Sequence, residues 1–372
     1  MAKQKGNTER IVFSEVAQEL IGLLDSSSVK KCNIRLLKDA ASVTIKAVSA
    51  CSSIHAARKR MKQGKSRRQI ARVLEGLELA TLENEINGRL KTNSKPLRNG
   101  NWTVAIDTHL IAYHGQKHQT NDEISRSKQK DGTTHFHTIA TAYVVDSYGR
   151  RWTIAAIFVR KGTSMRSIVQ QLISLIRKCK INIKLLLLDR GFYAINVIIL
   201  LMRWDIPFIM PMKGKGLPKK RGSYGSLYTM KSIVDGKIRT LVVQAISVVK
   251  YNRGKRFGHK GSVHWCYIIY KVNRPYRDIA NLYRRRFGIE CSYKLNKSRR
   301  PRSSTRNPAI RLFLFAASAF LQNRWISVKR MFCKRVTKAS PEMITLKDFA
   351  DIMLSVIRRA YGEITEFVVV PR

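Results

Sequence analysis

The chain has 372 residues, 44% of them hydrophobic, which is enough for one large core with smaller units and too many for a chain disordered throughout. Lys and Arg number 71 against 24 Asp and Glu, a formal net charge of +47, so a densely anionic partner is expected, nucleic acid first and an anionic membrane second. The longest apolar stretches, near 194–201 and 312–321, are too short to span a bilayer, and "MAKQKGNTERIVF" lacks the apolar centre of a signal peptide, which predicts a chain neither membrane-bound nor secreted.

Residues 1–98 read as a helical region. "SEVAQELIGLL" and "KDAASVTIKAVSA" carry apolar residues at helical spacing. "GKSRRQIARVLEGL" (64–77) is short, basic and amphipathic. It suits the recognition helix of a helix-turn-helix, with Arg67, Arg68, Gln69 and Arg72 toward base edges, and equally an ordinary surface helix with a solvated basic face. "KTNSKPLRNGN" (91–101) is a linker broken by Pro96 and Gly100.

Beyond the linker the pattern turns to strands. "WTVAID" (102–107), "HFHTIATAYVV" (135–145) and "RWTIAAIFV" (151–159) are expected strands, the last two joined as a hairpin by "DSYGR". An amphipathic helix over 164–179, N-capped by Ser164, leads to the strand "KLLLLD" (184–189). A helix over "YAINVIILLMRW" and a strand over 206–211 follow. Three strands and then two helix–strand crossovers are the order of an RNase H-like α/β fold. In that fold the first and fourth of these strands lie parallel and adjacent, so their C-terminal ends bring Asp107 and Asp189 together. Asp189 could also be a helix cap. Residues 99–212 thus form the first part of the core. Residues 213–273 read as a β-rich insertion, with long strands over "KIRTLVVQAISVVKY" and "SVHWCYIIYKV". The core resumes over 274–335, with helices expected at about 276–298 and 308–330, and a C-terminal helical region spans 336–372 with a helix at about 345–361.

Six cysteines (Cys32, Cys51, Cys179, Cys266, Cys291 and Cys333) are scattered without a paired spacing, which fits a reducing interior and neither a zinc ribbon nor a disulfide framework. The histidines near 109–137 are a weak metal signal for the same reason.

Two carboxylates on adjacent strand ends are half of a site for hard cations such as Mg²⁺. A third is available in "YRDIANLYRRRFGIECSYKLNKSRR". Tyr283, Arg286, Glu290 and Lys297 fall within about 60° of one another on a helix turning roughly 100° per residue, beside an apolar stripe of Leu282, Ile289 and Tyr293. A glutamate among so many cations could also be a solvated helix-pair partner.

These motifs resemble the DDE transposases of prokaryotic insertion sequences, in the group with a β-rich insertion. That group's signature, Y-(2)-R-(3)-E-(6)-K, is met at every spacing by Tyr283, Arg286, Glu290 and Lys297, and its D-x-G-x-Y by Asp189, Gly191 and Tyr193. "SKQKDGTTHFHTIATAYVV" with "DRGFY" is most similar to the branch known from halophilic archaea and cyanobacteria. The resemblance covers about 100–330. It implies that Asp107, Asp189 and Glu290 are catalytic and hold Mg²⁺ or Mn²⁺, as two ions. It implies that Tyr283, Arg286 and Lys297 contact phosphates near the cleaved end. The implied reaction is hydrolytic cleavage at the element's ends, then attack of the freed 3′-OH on target DNA. The implied partner is double-stranded DNA, both terminal inverted repeats and target, bound by a homodimer in a prokaryotic, nucleoid-associated cytoplasmic setting. Trp265 of the insertion either packs in the core or stacks on a flipped base, as in some relatives. A DNA-binding protein derived from a transposase but without activity, and a cellular nuclease or resolvase of the same fold, remain the alternative readings.

Overall fold

The computed structural model describes residues 2–26, 33–116, 122–145, 151–213, 216–220, 222–234, 236–252, 261–286, 296–332 and 344–363. Helices α1 (Ala2–Asp25), α2 (Ile34–Ser49), α3 (Ile54–Lys59), α4 (Arg67–Glu75) and α5 (Leu79–Asn93) precede the first strand. Side chains fix several of their starts: Asn33, Ser53 and Ser66 accept the backbone N–H of Leu36, Ala56 and Gln69, satisfying donors that a helix leaves open at its N-terminus.

Strands β1 (Asn101–Ala112), β2 (Ser125–Lys130), β3 (Thr133–Val145), β4 (Arg151–Val159), β5 (Asn182–Leu188), β6 (Phe208–Pro211), β7 (Tyr224–Val234), β8 (Lys237–Asn252) and β9 (Gly261–Tyr270) form one nine-stranded sheet. Its order is β2-β3-β1-β5-β6-β9-β8-β7, and β2 and β4 share one edge of β3, against its residues 133–136 and 138–145. Helix α6 (Met165–Lys178), N-capped by Ser164 as expected, links β4 to β5, and α7 (Ile195–Arg203) links β5 to β6. The run β4-β3-β1-β5-β6 is the RNase H-like order read from the sequence, with β1 and β5 parallel.

Three strand readings need correction. β1 runs five residues past Asp107, because "HLIA" continues as a ribbon with β3, pairing His109 with Ile139 and Ala112 with Phe136. β2 and β7 were not expected. "SRSKQK" is almost wholly exposed and β7 borders the sheet, so both strands are held by backbone pairing more than by a buried side-chain face. The strands within 213–273 extend the central sheet itself, since β9 pairs antiparallel with β6 from Phe208↔Tyr270 to Pro211↔Tyr267. The turn at 146–150 lies outside the described residues.

Strand alternation sorts the core into two faces. Val104, Ile106, Leu186 and Leu188 face α6 and α7. Ala105 and Leu187 on the opposite face meet Ile279, Ala280 and Tyr283 of α8 (Tyr276–Arg284). Farther along that face, Ile111, Ile139, Ala156 and Phe158 are covered by α9 (Pro308–Phe332) in a core shared with α1, α2, α4, α5 and α10 (Leu346–Tyr361). β4 would expose an unpaired edge. Helix side chains close it: Asn87 exchanges two hydrogen bonds with Ala156 (2.7 and 3.0 Å), Asn323 two with Thr153 (2.8 and 3.0 Å), and Glu83 accepts the N–H of Phe158 (2.6 Å).

Within the helix expected over about 276–298, α8 ends at Arg284, and residues 296–299 are helical again. Arg285 caps α8, and the Arg286 N–H closes a tight turn on the Tyr283 carbonyl at 2.8 Å. Three consecutive arginines suit a helix C-terminus, where the dipole favours cations. Residues 287–295, with Ile289, Glu290 and Tyr293, lie outside the described residues. Among the described residues no helix is long and apolar enough to cross a membrane.

Candidate active site

β5 pairs with β1 up to Leu188, opposite Ile106, so Asp107 and Asp189 are the next residue on each strand. Both follow the parity of Ala105 and Leu187 and so stand on the α8 face. Asp189 opens a 3-10 turn over Arg190–Phe192, yet its side chain caps nothing; the turn closes through its carbonyl, which accepts from Phe192 at 3.0 Å. The cap reading of Asp189 therefore fails, and its side chain pairs instead with Arg286.

Arg286 joins the two acids. Its Nη1 lies 3.3 Å from Asp107 Oδ2 and its Nη2 3.5 Å from Asp189 Oδ1. Arg286 is 6% exposed. Burial opposes its charge, but the Tyr283 phenol oxygen and the two carboxylates outweigh that cost, and the pKa of Arg286 stands above the ordinary value. Asp107 also accepts the Thr108 N–H through Oδ1 at 2.8 Å. Its side chain is 12% exposed against 41% for Asp189, so the pair has a closed floor and an open lip.

Tyr283 seats α8 on this floor. Its buried hydroxyl donates to the Leu188 carbonyl at 3.1 Å, one residue before Asp189, and burial raises its pKa. Its ring stands 5.0 Å from that of Tyr267, whose pKa burial pushes up to about 12. Arg286 thus reaches the acids just beyond the end of α8, and Tyr283 the strand residue before Asp189. Glu290 lies outside the described residues. Lys297 is exposed and pairs with Asp131 of the β2–β3 turn at 3.2 Å. Arg67, Arg68 and Arg72 lie exposed on α4, in the N-terminal helical layer rather than on α8 or the strand ends that carry the acids. Gln69 spends its Oε1 on the Ser66 capping box.

A cavity of about 420 Å³ opens from Asp189. Tyr283, Arg286, Arg284, Tyr267 and Trp265 wall it, and Arg284 lies 5.2 Å over the Trp265 ring. Trp265 is half-buried at this cavity, not sealed in the core. Sequence spacing could not single out Tyr267, because β9 reaches the site only through its pairing with β6.

The acids offer hard oxygen donors, and a shared guanidinium already occupies the place of a common cation. The φ of Gly191 is not in the left-handed region, so the sharp exit from β5 does not need a glycine, and a β-carbon there would meet Asp189 Oδ2 at an ordinary 3.9 Å. These residues fit a divalent metal. Among the described residues no group of three or more His, Cys, Asp or Glu side chains gathers as a metal site, the histidines near 109–137 included.

The family model for the transposase DDE domain matches residues 98–323. Among solved structures, the chain is similar to the piggyBac transposase synaptic complex with hairpin DNA, at 11% identity and a TM-score of 0.56, over 97% of this chain and 82% of that one. At that identity the likeness speaks to the fold. No curated protein matches the chain in sequence.

Proposed function

This chain belongs to the family of transposases with a DDE domain, DNA-cleaving and strand-transferring enzymes that depend on divalent metal, and on that premise we propose that Asp107, Asp189 and Glu290 are its catalytic centre. The observation that carries the reading is Arg286 bonded at once to Asp107 and Asp189, which draws two carboxylates from parallel strands onto one cation. Mg²⁺ or Mn²⁺, as two ions held by these three acids, would supply Lewis acidity at a phosphodiester.

The side chains position and neutralise DNA. Arg286, with its forked donors, moves from the acids to a phosphate beside the scissile link, and Lys297 meets a neighbouring phosphate as a point charge. Tyr283 holds the end of β5 in place beneath them. Trp265 offers a stacking face to a base at the cleaved end. Water attacks first and the freed 3′-OH second, both in line, so one site serves both transfers. The DNA is the element's own terminal inverted repeats and then a target duplex, held by a homodimer in a nucleoid-associated setting. Region 1–98 binds the ends, with Arg67, Arg68 and Arg72 toward the bases; 99–212 and 274–335 form the core, 213–273 its insertion and 336–372 a C-terminal helical region.

The test is cleavage of duplex DNA taken from the flanks of the gene. Asp107→Asn, Asp189→Asn and Glu290→Gln should each abolish Mg²⁺-dependent cleavage and keep binding, since each removes negative charge. Cleavage retained in any one of them removes that residue from the centre.

A further inference from the structure

A second cavity, of about 560 Å³, lies on the same sheet face at the far end of β1. Its wall is the segment 300–306 together with the start of α9 and the extension of β1 beyond Asp107. Arg300, Arg302, Arg306 and Arg311 line it. The acid on its wall, Asp131, is already paired with Lys297 at the rim.

Two of the arginines are built into the wall. Arg311 is 7% exposed and ties the segment down, donating from Nε to the Thr305 carbonyl and from Nη1 to the Ala112 carbonyl, both at 2.7 Å. Arg300 is held by His109, with Nη1 3.2 Å from Nε2. Burial first, and then the charge of Arg311, lower the pKa of Arg300 to about 10, so it stays charged at neutral pH. Arg302 and Arg306 are exposed at the mouth, and the Arg302 N–H donates to the Ser52 carbonyl at 3.2 Å, fixing the segment to the N-terminal helices as well. The charge of Arg311 opposes that of Arg300, and like charges in partial burial raise the free energy of the protein alone. An anion that enters between them relieves it.

We propose that this cavity is a second phosphate subsite, which takes a backbone phosphodiester of the DNA remote from the scissile link. It rests on the reading of the chain as a DNA-cleaving enzyme and adds a contact on the opposite side of Asp107 from α8. The subsite sets the path of the duplex: one phosphate at the acids, another at the arginines, with the β1 extension between them.

The test uses the full chain and compares salt dependence of binding to one duplex. Arg302→Ala/Arg306→Ala removes two exposed cations at the mouth, and Ser303→Glu adds an anion there. Lys178→Ala/Lys184→Ala removes the same charge from exposed positions at the other end of the sheet. The mouth variant should lower the slope of log affinity against log salt by about one to two units and open a gap in the backbone footprint, and Ser303→Glu should weaken binding at fixed salt. The distant variant should leave both slope and footprint in place. Equal slopes for the two double variants, or an unbroken footprint, would overturn the subsite. Wild-type chain that binds but never cleaves with metal would instead sink the catalytic reading, and the slope comparison would still decide the subsite.

Discussion

A carboxylate that follows four leucines must find hydrogen-bond or charge partners as soon as it leaves the core. Asp189 finds Arg286, and so does Asp107 from the neighbouring strand. The pairing makes Arg286 a rival to any cation at the same oxygens. Arg286→Gln should therefore bind Mn²⁺ about three- to tenfold more tightly without DNA, as a nearby positive charge is lost. Calorimetric titration of the DNA-free protein reads this, and unchanged or weaker binding would show that the arginine does not compete. The two acids were legible because a strand's buried run ends on each. The clasp was not, since it needs α8 to stop at Arg284 and the chain to turn inward.

His137 marks a second residue-scale consequence. It is 1% exposed, between the rings of Tyr113 (5.2 Å) and Phe158 (5.6 Å), and burial, with Arg311 nearby, lowers its pKa from 6.5 to about 3. The unfolded chain takes up this proton first as pH falls. Its contribution to stability is complete above about 6.5 and declines toward about 3, by up to about 1.4 kcal/mol per pH unit. His137→Phe keeps a ring in the stack and should flatten the fall of melting temperature between neutral and mildly acidic pH. An unaltered pH profile would contradict the assignment.

At the scale of elements, α4 shows how far a pattern carries. Its apolar spacing foretold a buried side, and Ile70, Val73 and Leu74 are that side, leaving Arg67, Arg68 and Arg72 exposed. Periodicity gives the buried face but not what lies beyond the exposed one. If the exposed face reads bases, alanine at the three arginines should cost about 1–3 kcal/mol of preference per lost bidentate base contact, measured as competition between the terminal repeat and a scrambled duplex at one salt concentration. Equal weakening toward both duplexes would make α4 a phosphate-binding face alone. The central strands were legible for a similar reason, being long runs of buried residues. β2 and β7 were not, because their backbone pairing leaves little trace in side-chain hydrophobicity.

At the scale of the molecule, +47 of formal charge and an acid cluster clasped by an arginine belong to one economy. The positive field suits DNA, and Asp107 and Asp189 are the two carboxylates that share Arg286 within it. The sequence pattern placed helices at both ends of the chain without saying that they meet. They do: α1, α2, α4 and α5 share a core with α9 and α10, and Arg324 of α9 reaches Glu15 (2.7 Å) and Glu19 (2.8 Å) of α1. Removing 1–98 would uncover that core, so the division of labour between end recognition and catalysis is better tested by point variants than by truncation.

What most needs testing is whether Asp107 and Asp189 hold a metal at the phosphodiester. Asp189→Cys tests it most directly, by measuring cleavage of the flanking duplex in Mg²⁺ and in Mn²⁺. A thiolate is a poor ligand for Mg²⁺ and a better one for Mn²⁺. A metal held by Asp189 predicts no cleavage in Mg²⁺, partial recovery in Mn²⁺, and no recovery for Asp189→Asn in either ion. Cleavage in Mg²⁺ at the wild-type rate by either variant would contradict it.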